Sequence, residues 1–190
     1  MDEKSQIQAL DRTQPSLPMK KGRAGTMTHD YKRHGTTTLF AALNVLTGTV
    51  ISESRRDSRA RHRHEKFLKS LRKIDREVTT SLQVHLILDK YATHQHLDVK
   101  NWLAKHPRFH LHVTPTSSSW LNLVECRFRD ITDKAIRRGV FPSVPDPISA
   151  IGHYLNAHNK VPKPFVWVAS AESILEKVGR GSVALETITN

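Results

Sequence analysis

The chain has 190 residues, enough for one domain with a substantial core. Its 30 Lys and Arg outnumber its 18 Asp and Glu, and the formal charge of +12 favours a polyanionic partner, nucleic acid first, over a basic surface without a partner. The single cysteine, Cys126, excludes an internal disulfide and a cysteine-rich zinc site, and no apolar run is long enough for a membrane helix. With no signal peptide visible in the first 25 residues, a cytoplasmic protein is predicted.

The first 35 residues are predicted to form an irregular basic arm, because they combine prolines, glycines and basic residues with few apolar ones. Such an arm could follow a phosphate backbone, or it could be a solvated loop. The rest of the chain divides into a domain over residues 36–178 and a tail over residues 179–190.

The elements of the domain are predicted from hydrophobic periodicity and turn signals. Residues 36–54 have the composition of a β-hairpin, broken at Thr47-Gly48. The arginine-rich run that follows, residues 55–64, is either a solvated lead-in to a helix or a DNA-facing patch. Residues 65–78 then place apolar side chains at helical spacing.

The next part of the chain alternates strands and helices. An apolar strand over residues 84–89 ends in Asp89, a helix spans residues 96–106, and a strand spans residues 109–113. Crossovers through helices require parallel strands, so an α/β fold is predicted. Further helices are predicted over residues 119–138, from Pro145, and over residues 170–178, after an extended segment over residues 162–168.

Three acids are candidates for a shared site: Asp2, Asp89 and Glu125. Asp89 closes an apolar strand, at the end of a sheet where ligands of α/β proteins bind, although it could equally cap the next helix. Glu125 lies near the start of a helix, where a lone glutamate is most often a surface residue. If the three meet, they suit a pair of divalent metal ions and phosphodiester chemistry.

Histidines offer a different kind of metal ligand. The pairs His62/His64 and His94/His96 match no common zinc spacing, and no cysteines accompany them, so a zinc site is not predicted. Cys126 and the three tryptophans are interpreted as packing residues.

Several segments together resemble a known family. They are DEKSQIQALDRTQP (2–15), GTMTHDYKRHGTTTLFAALN (25–44), LILDKYATHQH (86–96), TPTSSSWLNLVE (114–125), RRGVF (137–141) and AHNKVPKPFVW (157–167). The order and content of these segments are similar to the catalytic domain of bacterial transposases of the insertion-sequence-630 group, which is related to the mariner transposases. The resemblance covers residues 2–178.

The resemblance implies a ribonuclease H-like fold, with a mixed central sheet flanked by helices, and a DDE triad. The family's first aspartate, second aspartate and glutamate fall on Asp2, Asp89 and Glu125. It also implies two Mg²⁺ or Mn²⁺ ions, with Asp2 bridging both, and a homodimer that cuts and joins DNA at transposon ends, at the bacterial nucleoid.

The sequence also departs from the family pattern. The helix-turn-helix region of a complete transposase is absent, and so is the apolar strand that should precede Asp2. The first strand is therefore predicted to be truncated, with Asp2 at an unsupported terminus and weak activity of the isolated chain. An upstream-frame helix-turn-helix polypeptide could supply the missing part. The alternative functions are a non-catalytic DNA-binding or dimerising fragment that modulates full-length transposase, and a host nuclease without a role in transposition.

Overall fold

The computed structural model describes residues 1–13, 30–56, 63–89, 96–114, 122–164, 166, 170, 172–177 and 179–180. In chain order the elements are β1 (Asp2–Arg12), β2 (Tyr31–Leu43), β3 (Val50–Arg56), α1 (Arg63–Glu77), β4 (Val84–Leu88), α2 (Leu97–Ala104), β5 (Phe109–Val113), α3 (Val124–Ile131) with a π-helical extension (Thr132–Ile136), and α4 (Pro145–Lys160). Residues 172–177 are also helical.

The strands of these residues pair in two sheets. The first is antiparallel, with the order β1-β2-β3, and the second is the parallel pair β4-β5. A backbone hydrogen bond joins them where β1 begins, because the nitrogen of Met1 donates to the carbonyl of Ile87 at 2.7 Å. The predicted α/β class, with strands flanked by helices, is confirmed, and Asp2 lies in the first strand while Asp89 follows the fourth.

The N-terminal segment corrects the sequence analysis. Residues 2–12 form a strand instead of an irregular arm, and β2 crosses the predicted boundary at residue 35. Asp2 is not at an unsupported terminus, because it opens β1 and pairs in register with Ala41. Alternating side chains explain the strand: Ile7 and Ala9 are buried, while the preceding polar residues lie at an irregularity where Gln6 has a φ of 56°.

Helices α1 and α2 cover the buried face of β4 and β5. Phe67, Leu71 and Ile74 follow one face of α1, as their spacing predicts, and pack against apolar side chains of both strands. Val99 of α2 and Met1 belong to the same cluster. This packing fixes the end of β4, where Asp89 follows.

Helices α3 and α4 cover the opposite face of the first sheet. Leu39 and Ala41 belong to the core cluster between this face and the two helices, whereas Phe40 between them belongs to the core cluster under α1 and α2. Strand β2 is therefore buried on both faces. From α3, Val124, Phe128 and Ile131 are buried, and this packing orients the helix that carries Glu125.

The outer edge of β3 is held by side chains. Asn159, near the end of α4, accepts from the amide of Val50 at 2.9 Å and donates to its carbonyl at 2.8 Å. Lys73 of α1 donates to the carbonyl of Ser52 at 2.6 Å. Gly48 in the preceding turn has a φ of 78° and lies so close to Lys163 that a Cβ would collide with its carbonyl, so the turn requires glycine.

The predicted hairpin, the helix after residue 65, the strands that end near Asp89 and Val113, and the helix from Pro145 are all present. Helix α3 begins at Val124, later than the predicted start at residue 119. The arginine-rich run lies mainly outside the described residues, as do residues 115–121 and 181–190. Among the described helices, none has both the length and the apolar character needed to span a bilayer.

Candidate metal centre

Asp2 is held at the first position of β1. Its backbone lies in the ladder with β2, and its Oδ1 accepts a hydrogen bond from the amide of Glu3 at 2.7 Å. The side chain is half-buried at the junction of the two sheets. A rigid strand therefore positions this carboxylate, as a precise metal site requires.

Asp89 directly follows β4, which ends at Leu88, one residue earlier than predicted. Its Oδ1 accepts from the hydroxyl of Thr114 and from the side-chain amide of Asn122, both at 3.3 Å. Thr114 is itself fixed to β4, because its amide donates to the carbonyl of Leu88 at 2.8 Å. These contacts orient one carboxylate oxygen of Asp89 and leave the other without a hydrogen bond among those identified in the described residues.

Glu125 lies in the first turn of α3, where the positive end of the helix dipole favours a negative side chain. Val124 on one side is fully buried, and Glu125 itself is exposed. The helix is therefore fixed by its apolar face while the carboxylate projects outward. The backbone carbonyl of Asn122 accepts the amide hydrogen of Glu125 at 3.0 Å and so supports this first turn.

The three predicted acids converge in the structure. Asp2, Asp89 and Glu125 each offer a carboxylate oxygen, and these oxygens lie within 4.8 Å of one another. The electrostatic consequence falls on Asp2: burial, a hydrogen bond with Glu125, and the charges of Asp89 and Glu125 raise its pKa to about 7. Like charges this close need a shared proton or a cation to remain together.

The donor set of this cluster fits hard divalent cations. All three ligands are carboxylates, and no histidine belongs to the group. Oxygen ligands of this kind suit Mg²⁺ or Mn²⁺ and not zinc. Spacing along the chain did not define the site, since its members come from the start of β1, the end of β4 and the start of α3.

Asn122 is a site residue that the sequence analysis missed. It is 2% exposed, and its amide nitrogen donates both to the carbonyl of Met1 at 3.2 Å and to Asp89 at 3.3 Å. One side chain thus connects the strands that carry two of the three acids. The only sequence signal is an asparagine three residues before a candidate glutamate, which alone indicates a turn residue.

A family model described as "DDE superfamily endonuclease" matches residues 1–146 of the chain. The chain belongs to this family. Among curated proteins, an insertion element IS630 protein of 39 kDa, described as uncharacterized, from Shigella sonnei is 23% identical over 96 residues. That match spans 50% of this chain and 28% of the relative, and it confirms the predicted resemblance to the insertion-sequence-630 group.

Two solved structures are similar to this DDE endonuclease-family chain. The catalytic core domain of BIV integrase has a TM-score of 0.48 and 17% identity, covering 78% of this chain and 93% of the integrase core. The Mos1 strand transfer complex has a TM-score of 0.39 and 17% identity, covering 94% of this chain and 44% of that chain.

Proposed function

We propose that this chain is the catalytic portion of an insertion-sequence transposase, which cuts DNA at transposon ends and transfers the cut strand. The observation that supports the proposal is the convergence of Asp2, Asp89 and Glu125, three acids distant in sequence whose carboxylate oxygens lie within 4.8 Å. The family match gives the chemical class, that of a DDE endonuclease.

Two Mg²⁺ or Mn²⁺ ions held by the three acids would neutralise the phosphodiester and lower the pKa of an attacking water. The chain's own contribution is to bind and orient. Asp2, Asp89 and Glu125 would hold the ions, whose charge would offset the burial and the neighbouring carboxylates that raise the pKa of Asp2.

Asn122 and Thr114 keep Asp89 in one orientation, because both donate to its Oδ1. Because the carboxylate is planar, holding Oδ1 in place also fixes the direction of the other oxygen, Oδ2. Preorganisation of this kind is the protein's main contribution to phosphoryl transfer, where positioning and electrostatics dominate.

DNA is the proposed substrate, and the formal charge of +12 supports it, since phosphate contacts contribute most of the affinity of DNA-binding proteins. We propose that the substrates are transposon terminal repeats and target DNA, engaged by a homodimer at the nucleoid. From the sequence alone, an unsupported Asp2 predicts weak activity of the isolated chain. Since Asp2 begins a paired strand, we propose instead that the acids are positioned for catalysis.

The test is cleavage of DNA that carries the element's ends, with Mg²⁺ or Mn²⁺. Asp89→Asn and Glu125→Gln should each lower the rate at least about 10²-fold, since each removes a charged ligand from the site. Asp133→Asn is the matched control, because Asp133 is a partly exposed acid in the π-helical extension of α3, paired with Arg137. It should leave the rate within about twofold.

The result separates the proposal from its alternatives. Metal-dependent cutting that is lost in Glu125→Gln supports a nuclease. DNA binding without cutting in the unaltered chain would instead support a non-catalytic fragment that modulates transposase. Cutting of RNA–DNA hybrids without preference for the element's ends would support a host nuclease.

A further inference from the structure

A second cluster of metal-ligating side chains lies where α1 and α2 begin. His64 is the second residue of α1, His96 is the N-cap of α2, and Asp98 lies in the first turn of α2. Their ligand atoms lie within 4.8 Å of one another. The cluster shares no residue with the acids at the end of β4.

Two of the ligand-atom distances within this cluster fit tetrahedral coordination. Nε2 of His64 lies 3.6 Å and Nδ1 of His96 lies 3.4 Å from Oδ2 of Asp98. Zinc bonds to nitrogen and oxygen of 2.0–2.2 Å imply tetrahedral edges of about 3.3–3.5 Å between neighbouring ligand atoms. Turning one imidazole ring about its side-chain bonds would direct both nitrogens and the oxygen at one ion.

The polar atoms of the two histidines lie close to Oδ2 of Asp98. Nδ1 of His96 also accepts the amide hydrogen of Asp98 at 3.3 Å, so this ring nitrogen presents a lone pair. The two imidazole rings are parallel, with centroids 3.7 Å apart. One divalent cation would satisfy the carboxylate and both rings.

We propose that His64, His96 and Asp98 bind one Zn²⁺ ion, or a similar first-row transition-metal ion, that ties the start of α1 to the start of α2. Two imidazoles and one carboxylate favour such ions over Mg²⁺. The lone pairs of stacked rings lie in parallel planes, so binding turns at least one ring about its side-chain bonds. Water fills the remaining position, and the capping bond of His96 is exchanged for a bond to the ion.

The proposed site explains why sequence spacing gave no zinc signal. His64 and His96 belong to two separate histidine pairs, each with a spacing that matches no common pattern. The fold joins one member of each pair, and the third ligand is an aspartate. The site does not depend on the proposed nuclease activity, because its ligands and its preferred metal are different.

The test is calorimetric titration of the chelator-treated chain with Zn²⁺ in excess Mg²⁺, which occupies the carboxylate-only cluster. We expect one Zn²⁺ per chain. Asp98→Asn, which retains the backbone amide at the cap, and His64→Gln should each weaken binding at least about tenfold. Zn²⁺ at about 100 times its dissociation constant should raise the Tm of the unaltered chain by about 5–10 °C, and this rise should be lost in both variants.

His112→Gln is the matched control, because His85 and His112 form another histidine contact, with ring nitrogens 2.9 Å apart on the exposed face of β4 and β5. This variant should bind Zn²⁺ as the unaltered chain does. Two results would overturn the proposal: binding lost in His112→Gln but kept in Asp98→Asn, or no saturable binding by the folded chain. Circular dichroism of each variant establishes that a loss of binding is not a loss of fold.

Discussion

Asn122 shows how one buried residue can organise a cluster of acids. Its side-chain amide donates to the carbonyl of Met1 and to Asp89, and its backbone carbonyl accepts from the amide of Glu125, so the residue contacts the segments that carry all three acids. A buried polar group of this kind is costly to leave without partners. Its role is that of a positioning residue, since its amide supports Asp89 without being one of the three acids.

Replacing Asn122 tests this role. We expect Asn122→Ala to leave the Met1 carbonyl without its side-chain donor and Asp89 with the Thr114 hydroxyl alone, and to lower the free energy of unfolding by about 1–3 kcal/mol. Metal-dependent cleavage should fall more than stability alone explains, with a higher Mg²⁺ concentration required for half-maximal rate. Asn101→Ala on the exposed side of α2 is the control. An unchanged metal requirement in the folded Asn122→Ala variant would contradict the positioning role.

The raised pKa of Asp2 makes a prediction about pH. Burial and the neighbouring acids raise this pKa from 3.8 to about 7 in the folded chain. The folded state therefore binds more protons than the unfolded state between about pH 4 and 7, and stability should fall as pH rises through this window.

Thermal unfolding of the metal-free chain measures this effect. The Tm should fall by a few degrees between about pH 4 and 6, below the range in which the lowered pKa of the buried Met1 amino group, about 6, has the opposite effect on stability, and Asp2→Asn should flatten that dependence. Mg²⁺ should restore stability at the higher pH, because it binds the ionised carboxylates and competes with the proton. Equal pH dependence in Asp2→Asn would show that other groups are responsible.

At the scale of the elements, Arg108 connects the end of α1 to the start of β5. Its guanidinium donates to Oδ1 of Asp75 at 2.7 and 3.0 Å, to the carbonyl of Asp75 at 2.7 Å and to the carbonyl of Thr79 at 2.8 Å. The last carbonyls of a helix lack partners within the helix, so these bonds both cap α1 and hold β5 in place. These bonds also hold the loop between α1 and β4 beside the core cluster that lies under α1 and α2.

Removing this guanidinium should be costly. Arg108→Ala leaves Asp75 and the carbonyls at the end of α1 without their donor, and we expect a loss of about 2–4 kcal/mol in the free energy of unfolding. Arg108→Lys should lose less, because an ammonium can satisfy only part of the set. Urea denaturation measures both variants.

Arg137→Ala is the control for this measurement, since its pair with Asp133 is largely exposed, and it should cost at most about 0.5 kcal/mol. Equal losses in Arg108→Ala and Arg137→Ala would mean that the Arg108 connection contributes little to stability.

At the scale of the whole molecule, the charge of +12 and the acidic cluster predict separable properties. Affinity for DNA should fall by orders of magnitude between about 50 and 200 mM salt, because counterions are released from the phosphates on binding. Glu125→Gln should abolish cleavage while leaving this binding intact or slightly stronger. Fluorescence anisotropy with labelled DNA measures the affinity for DNA. An affinity that does not change with salt would contradict an interface dominated by phosphate contacts.

Periodicity in the sequence was sufficient for the elements with regular apolar patterns. Phe67, Leu71 and Ile74 predicted α1, and the apolar runs of β4 and β5 predicted two strands with ends correct to within one residue. Strand β1 was missed because its polar residues and the left-handed Gln6 interrupt the alternation, while its partner β2 supplies the backbone bonds that hold it. Local pattern cannot show a partner that lies 30 residues away.

The three acids of the candidate site were predicted from the sequence, and the structure brings them together. Their support was not predicted, because Asn122 acquires its role only when β1, β4 and α3 meet. His64 and Asp98 illustrate the same limit, since they lie on different helices. Residue type and spacing identified candidate ligands, and the packing of the helices decided which of them are neighbours.

The contacts along β3 have a consequence for the behaviour of the protein at high concentration. A last strand with free amides and carbonyls is a template to which another chain can add, the first step towards aggregates. Asn159 occupies both backbone groups of Val50, as a neighbouring peptide unit would, and Lys73 occupies the next outward carbonyl, that of Ser52. These two side chains thus take the hydrogen bonds that a further strand would make at Val50 and Ser52. This part of the edge is therefore less available for pairing with another chain.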